Sequence, residues 1–287
     1  MSSGLRQNTL SISLNNYNKI NIAMKKVIKG LLAVALCFQL SSVFAWGTIG
    51  HRVVAEIAER HLNKKAKKNI GKIIGQQKLA YWANWGDFIK SDPNPEFKKL
   101  GNAHFINLNS NLPWVAFQQG LENSADENLY KMAIRIEQSF GDKNISLDQQ
   151  KQNLYFLIHI LGDAHQPMHV SRAEDQGGNK IEVSWFGKKS NIHRVWDSDL
   201  VDNEKYSYTE YATVLDVNGK KQNEQLAAGE LSNWLYESNQ LAEKIYADVA
   251  NNANLSYSYV YQNKDTMEQC LLKGGLRLAK VLNRIFG

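Results

Sequence analysis

Two residue pairs constrain this chain most. His159 and Asp163 stand four apart, and so do His193 and Asp197. On a helix that spacing places imidazole and carboxylate on one face. The segment carrying the first pair also holds Leu154, Tyr155, Leu157, Ile158 and Leu161, a helical apolar pattern. A fold that buries those residues draws the polar pair inward, and buried polar groups require partners. Pro167 disfavours helical backbone in the residue before it, so the first helix ends there and His169 turns toward the same cavity. Neutral imidazoles with carboxylates and no thiolates are the ligand set of zinc hydrolases, less often of manganese or iron sites. One such pair is ordinarily a surface contact or a satisfied core group. Two pairs plus His169, in core-bearing helices, favour a metal centre. The spacing leaves the number of ions open.

The segment starting at Met24 reads as a leader. Lys25, Lys26 and Lys29 supply a basic start, residues 31–40 an apolar run, and Val43 and Ala45 the small residues three and one before a cut. The run is too short to span a bilayer. The expected organisation is therefore a dispensable upstream extension (1–23), a signal peptide (24–45) cleaved between Ala45 and Trp46, and one catalytic domain (46–287). The expected location is periplasmic or secreted, with no membrane span after cleavage.

Cleavage changes the charge argument. The full chain has 34 basic and 28 acidic residues, a formal net of +6. Residues 1–45 hold Arg6, Lys19, Lys25, Lys26 and Lys29 and no acid, which leaves 29 basic against 28 acidic residues. A nearly neutral mature chain lacks the basic stripe of a simple nucleic-acid-binding module. Cys37 falls in the leader, so only Cys270 remains, expected buried and inert. Export without disulfides suits a bacterial envelope protein.

The mature chain reads as mainly α-helical. Helical spacing covers residues 48–74, 126–140 (with Asp126 as cap), 147–165, about 226–251 and 265–286. Residues 181–185 alternate like a strand between glycine-rich turns, which predicts a small β-hairpin.

The motifs together resemble the S1/P1 nuclease family. They are Trp46 through His51 and Arg52, Trp85-Gly86-Asp87, His104 to Asn107, His159-Asp163-His169, Gly177-Gly178-Asn179, and Asn191-His193-Trp196-Asp197. They occur in family order up to about residue 201; the remaining third matches only in being helical. The resemblance implies the single-domain helical fold of the phospholipase C/P1 nuclease type, and three zinc ions. By motif, one ion takes Asp87, His104, His159 and Asp163. A second takes His51, Asp163 and the terminal amine and carbonyl of Trp46. The third takes His169, His193 and Asp197. A terminal amine binds metal only when deprotonated and free, so leader removal would act as an activation step.

The resemblance further implies a hydrolase acting on ester bonds. It would cleave single-stranded DNA and RNA to 5′-nucleotides by zinc-activated water, and remove phosphate from 3′-nucleotides. Asp87 would orient or deprotonate the water. Lys90 stands where an arginine is often found near the phosphate, keeping the charge but losing the bidentate fork. Phe105 matches the base-stacking position. Asn107 replaces a carboxylate that contacts the base in some members. A monomer without a stable protein partner is expected. His61 reads as a solvated surface residue, and His165, at a position that varies in the family, as a residue behind the ligands or on the surface rather than a ligand. The rival enzyme is a zinc-dependent phospholipase C acting on phosphatidylcholine, against which Arg172 stands where that family usually has Asn. A non-catalytic zinc-storage protein is the rival from another class.

Overall fold

The computed structural model describes residues 46–124 and 127–287. The expected extension and leader, and Asp126, lie outside the described residues. In chain order the longer helices are α1 (Thr48–Arg60), α2 (Lys64–Ile74), α3 (Trp114–Asn123), α4 (Leu129–Ser139), α5 (Leu147–Asp163), α6 (Tyr208–Leu215), α7 (Leu231–Asn251) and α8 (Tyr257–Phe286). The mainly helical architecture follows the apolar periodicity. None of the described helices is long and apolar enough to cross a membrane.

Helix α5 forms the centre. Every residue from Leu154 to Asp163 is buried, so its final three turns are covered on all sides, with α1, α2, α4 and α8 packed around it. Ser146 caps it by accepting from Gln149 N. It ends at Asp163, and Pro167 opens a 3₁₀ turn, Pro167–His169. Helix α8 lies against α1 through a glycine pair. A Cβ on Gly275 would come within 2.5 Å of Ile57 Cβ, and one on Gly274 within 3.2 Å of Val54 Cγ2. The two helices therefore approach more closely than any larger side chain permits.

Several expected boundaries move. The periodic stretch 48–74 is two helices, because Asn63 turns the chain and caps α2 by accepting from Ala66 N at 2.8 Å. Helix α4 starts at Leu129 and is capped by Asn128, whose side chain accepts from Lys131 N. Helix α8 begins at Tyr257, eight residues before the periodicity suggested. The hairpin pairs β1 (Glu182–Trp185) with β2 (Lys188–Asn191), antiparallel, with Trp185 opposite Lys188. Its two-residue turn puts Phe186 at φ 47° and Gly187 at φ 79°, both left-handed as a tight hairpin turn demands. A third strand, β3 (Asn254–Leu255), joins β1 in parallel, giving the order β2-β1-β3.

Cys270 is buried among α8 core residues, and burial pushes its thiol up to about 12.

Candidate metal centre

Eight side chains converge from six parts of the fold. Helix α1 supplies His51, the short helix Trp85–Phe88 supplies Asp87, and the 3₁₀ turn Gly101–His104 supplies His104. Helix α5 supplies His159 and Asp163, and the turn Pro167–His169 supplies His169. His193 sits on the short helix Ile192–Arg194, which runs directly into a π-turn, Val195–Asp199, bearing Asp197. Such turns recur at functional sites because the widened backbone re-aims a side chain.

Three groups able to hold a metal ion result: His51, Asp87 and His159; His104, His159 and Asp163; His169, His193 and Asp197. Within each, the candidate ligand atoms all lie within 4.8 Å of one another. The third group has the membership expected from sequence. In the first two Asp87 groups with His51, and His159 belongs to both, while His51 also lies 3.4 Å from Asp163 and His159 3.7 Å from Asp87. Asp163 touches members of all three. Its oxygens lie 3.4 Å from His51 Nε2, 3.2 Å from His104 Nδ1, 3.4 Å from His159 Nε2 and 3.7 Å from His169 Nδ1. Trp46 is fully buried at the start of the described chain.

Backbone carbonyls orient the imidazoles. His159 Nδ1 donates to Ala83 O at 2.7 Å, His169 Nδ1 to His104 O at 2.8 Å, and His193 Nδ1 to Gly177 O at 2.7 Å. A ring committed to donate at Nδ1 carries a bare lone pair at Nε2 when neutral. In the third group those lone pairs face carboxylate oxygens. His193 Nε2 lies 3.0 Å from Asp197 Oδ2 and His169 Nε2 3.3 Å from Asp197 Oδ1. Acceptors facing acceptors repel unless positive charge, a proton or a metal cation, sits among them. His51 Nδ1 and Nε2, His104 Nε2, His169 Nε2, His193 Nε2 and Asp163 Oδ1 are buried without a hydrogen-bond partner among the described residues. Buried orphans of this kind are costly. A nitrogen-and-oxygen donor set without sulfur, with its lone pairs turned inward, fits divalent cations of the zinc type.

The electrostatics agree. Burial opposes charge on Asp163, yet His159, His169, His104 and His51 hold its carboxyl well below the usual range. Asp197 is likewise buried but held at about 2 by His193 and His169. Asp87 is lowered in spite of burial by His159 and Lys90. Burial and the neighbouring His51 push His159 down to about 3, and burial lowers His104. Burial works against charge on His169 too, but Asp163 and Asp197 raise it to about 9. Three aspartates held ionised thus surround a cavity in which burial keeps His159 and His104 neutral.

Close packing fixes the rings. A Cβ on Gly86 would sit 2.5 Å from His159 Cδ2, and one on Gly162 would sit 2.7 Å from His51 Nδ1. The His51 and His159 rings stack with centroids 3.9 Å apart. Gln166 is fully buried; its amide donates to Asp197 Oδ1, and its carbonyl accepts from Met168 N. Nothing in the local pattern singles out Gln166, beyond its place between the two histidines of a conspicuous segment.

The remaining expected site residues are near the centre. Lys90 Nζ lies 2.6 Å from Asp87 Oδ1. Phe105 follows His104 directly and is half-buried. Asn107 is half-buried, with its Oδ1 buried and unpartnered. A cleft of about 550 Å³ opens beside Asp87, lined also by Thr48, Asn84, Phe88, Ser91, Asp92 and Pro93. Arg172 bonds Glu243 on α7 through its guanidinium and stacks over Tyr246 at 4.1 Å.

Two histidines stand outside the three groups. His61 is not simply solvated: it is half-buried, and its Nε2 lies 2.8 Å from Asp216 Oδ1, because the chain turn after α1 leads it toward the end of α6. His165 is buried rather than surface: Nδ1 donates to Leu161 O at 2.7 Å and the ring packs against Gly274 and Trp234. Burial and Arg277 push it down to about 3.

Comparison with known proteins accords with this geometry. The family model described as S1/P1 Nuclease matches residues 46–287. The chain is 27% identical to Endonuclease 2 of Arabidopsis thaliana, covering 91% of this chain and 97% of the relative. It is 26% identical to Nuclease S1 of Aspergillus oryzae, over 84% of this chain and 92% of the relative. It is 27% identical to Nuclease P1 of Penicillium citrinum, over 84% of this chain and 98% of the relative.

Proposed function

The chain belongs to the S1/P1 nuclease family, and on that premise we propose that it hydrolyses single-stranded DNA and RNA to 5′-nucleotides and acts as a 3′-nucleotidase. The observation that carries this reading is the set of three buried His/Asp groups joined by Asp163. We assign three zinc ions to them. The ligands are His51, Asp87, His104, His159, Asp163, His169, His193 and Asp197, with the amine and carbonyl of Trp46 completing the set after cleavage at Ala45. When bound, zinc supplies Lewis acidity and a water acidic enough to ionise near neutral pH.

The chain's own residues do the rest. The Asp87 side chain is 8% exposed at the cleft. Kept ionised beside Lys90, it accepts the proton of the attacking water and orients that water toward phosphorus. Lys90 brings the cation that a phosphate oxygen meets at the cleft edge. Phe105 offers its ring to a base, and Asn107, two residues on, is the polar side chain beside it. A requirement for unstacked bases explains preference for single strands. The enzyme works as a monomer in the periplasm or outside the cell.

The test is metal analysis of protein beginning at Trp46, beside assays on single-stranded DNA, single-stranded RNA and phosphatidylcholine. Three zinc per chain with chelator-sensitive nucleotide release is the expected result. Phosphatidylcholine turnover without nucleotide release would overturn the assignment in favour of a phospholipase C.

A further inference from the structure

Phe88 is the residue next to Asp87, and it is 78% exposed. Its neighbours do not treat it as core: it lines the cleft beside Asp87 with Thr48, Asn84, Ser91, Asp92 and Pro93. A large ring left in water forgoes the stabilisation that burial would provide, so its place in the wall of a functional cleft asks for an occupant. The cleft, about 550 Å³, is within the range of small-ligand sites. Its wall combines one apolar ring face with hydroxyl, amide and carboxylate groups. Asn84 is held in place by donating to Thr48 O at 3.3 Å. The opening adjoins Asp87 and its partner Lys90, so an occupant here lies beside the point where phosphate docks.

A flat ring with polar edges, attached to phosphate, is the occupant this chemistry suits. We infer that the cleft is a second nucleobase subsite in which Phe88 stacks on the base across the scissile phosphate from the one held by Phe105. The inference rests on the nuclease reading above. It makes the smallest fully bound substrate a dinucleotide, each base lying on an aromatic that directly follows an aspartate or histidine of the centre. Stacking of this kind tolerates any base. The edge groups of Asn84, Ser91 and Asp92 favour bases that carry an amino group.

The experiment compares the zinc-loaded protein with Phe88→Ala, Phe88→Leu and Phe88→Trp. Exposure of the side chain keeps all three folded. Steady-state kinetics are measured on a dinucleotide and on its two forms lacking one base or the other. Phe88→Ala and Phe88→Leu should raise KM about tenfold on the intact dinucleotide, equivalent to ~1.4 kcal/mol, with kcat little changed. Phe88→Trp should keep the parental KM. The penalty should vanish on one abasic form and persist on the other. An unchanged KM for Phe88→Ala, or an equal penalty on both abasic forms, overturns the subsite. Fluorescence anisotropy with a phosphorothioate pentathymidylate separates this from the nuclease reading. Binding that Phe88→Ala weakens, in a protein that releases no nucleotide, sinks the nuclease reading and keeps the subsite. Binding that Phe88→Ala leaves intact sinks the subsite alone.

Discussion

Gly162 sits one residue before the carboxylate that touches all three groups, and its missing side chain makes room for His51. In Gly162→Ala the new Cβ would lie 2.7 Å from His51 Nδ1 and 3.2 Å from Cε1. Ordinary contact needs about 3.4 Å or more, so the ring must retreat by about 0.7 Å. It cannot retreat freely, because one of its faces stacks on His159 with ring centroids 3.9 Å apart. Metal–ligand distances tolerate about 0.2 Å, so the displacement exceeds what coordination absorbs. Disturbed ligand orientation typically costs 10- to 100-fold in metal affinity, or ~1.4–2.8 kcal/mol. Helix propensity works in the opposite sense, since Ala is favoured over Gly by up to about 1 kcal/mol within a helix. The signature is thus split. Zinc affinity, measured by chelator competition, should fall at one ion per chain, while the metal-free protein should melt no lower than the parent. Unchanged affinity at all ions would refute the reasoning. Equal losses in melting temperature with and without metal would refute it too, because the clash would then be relieved in the core rather than at His51.

Asp163→Asn should remove zinc from more than one group, whereas His193→Ala should remove only one ion; metal content per chain by mass spectrometry separates the two, and equal losses would count against Asp163 as the shared ligand. Protein beginning at Ala45 instead of Trp46 should bind one zinc fewer and lose most activity, which full activity in that form would disprove. His165 binds no proton in the folded state until about pH 3 but does so near 6.5 when unfolded. The unfolded chain therefore binds more protons across that window, and stability falls as pH drops from about 6.5 toward 3. His165→Gln should flatten denaturant-derived stability against pH by up to ~1.4 kcal/mol per pH unit there; parallel curves would show that His165 is not held neutral.

Local pattern made much of the centre legible. The His159/Asp163 and His193/Asp197 spacings report a single helical turn, which the chain's own geometry enforces even where the second turn widens into a π-turn. His51 and His104 were assignable only through the resemblance, since no periodicity links them to α5. The division of ligands between the first two groups depends on how Trp85–Phe88 packs against α5, a non-local matter that no local spacing reports. The same reason hides β3, which needs residue 254 to meet residue 184. The break at Asn63 was missed because the apolar pattern on both sides keeps a helical period through the turn. His165 has no spacing partner in the sequence, so its burial against Gly274 and Trp234 is legible only in the fold. No motif marks Phe88; its exposure does.

Every residue of the centre lies between positions 46 and 197, yet α1, which carries His51, is seated on α8 through Gly274 and Gly275. The last helix contains no ligand and still sets where the first one stands. Removing the final thirty residues would leave every chelating side chain in the chain and take away the surface against which the His51 helix is seated.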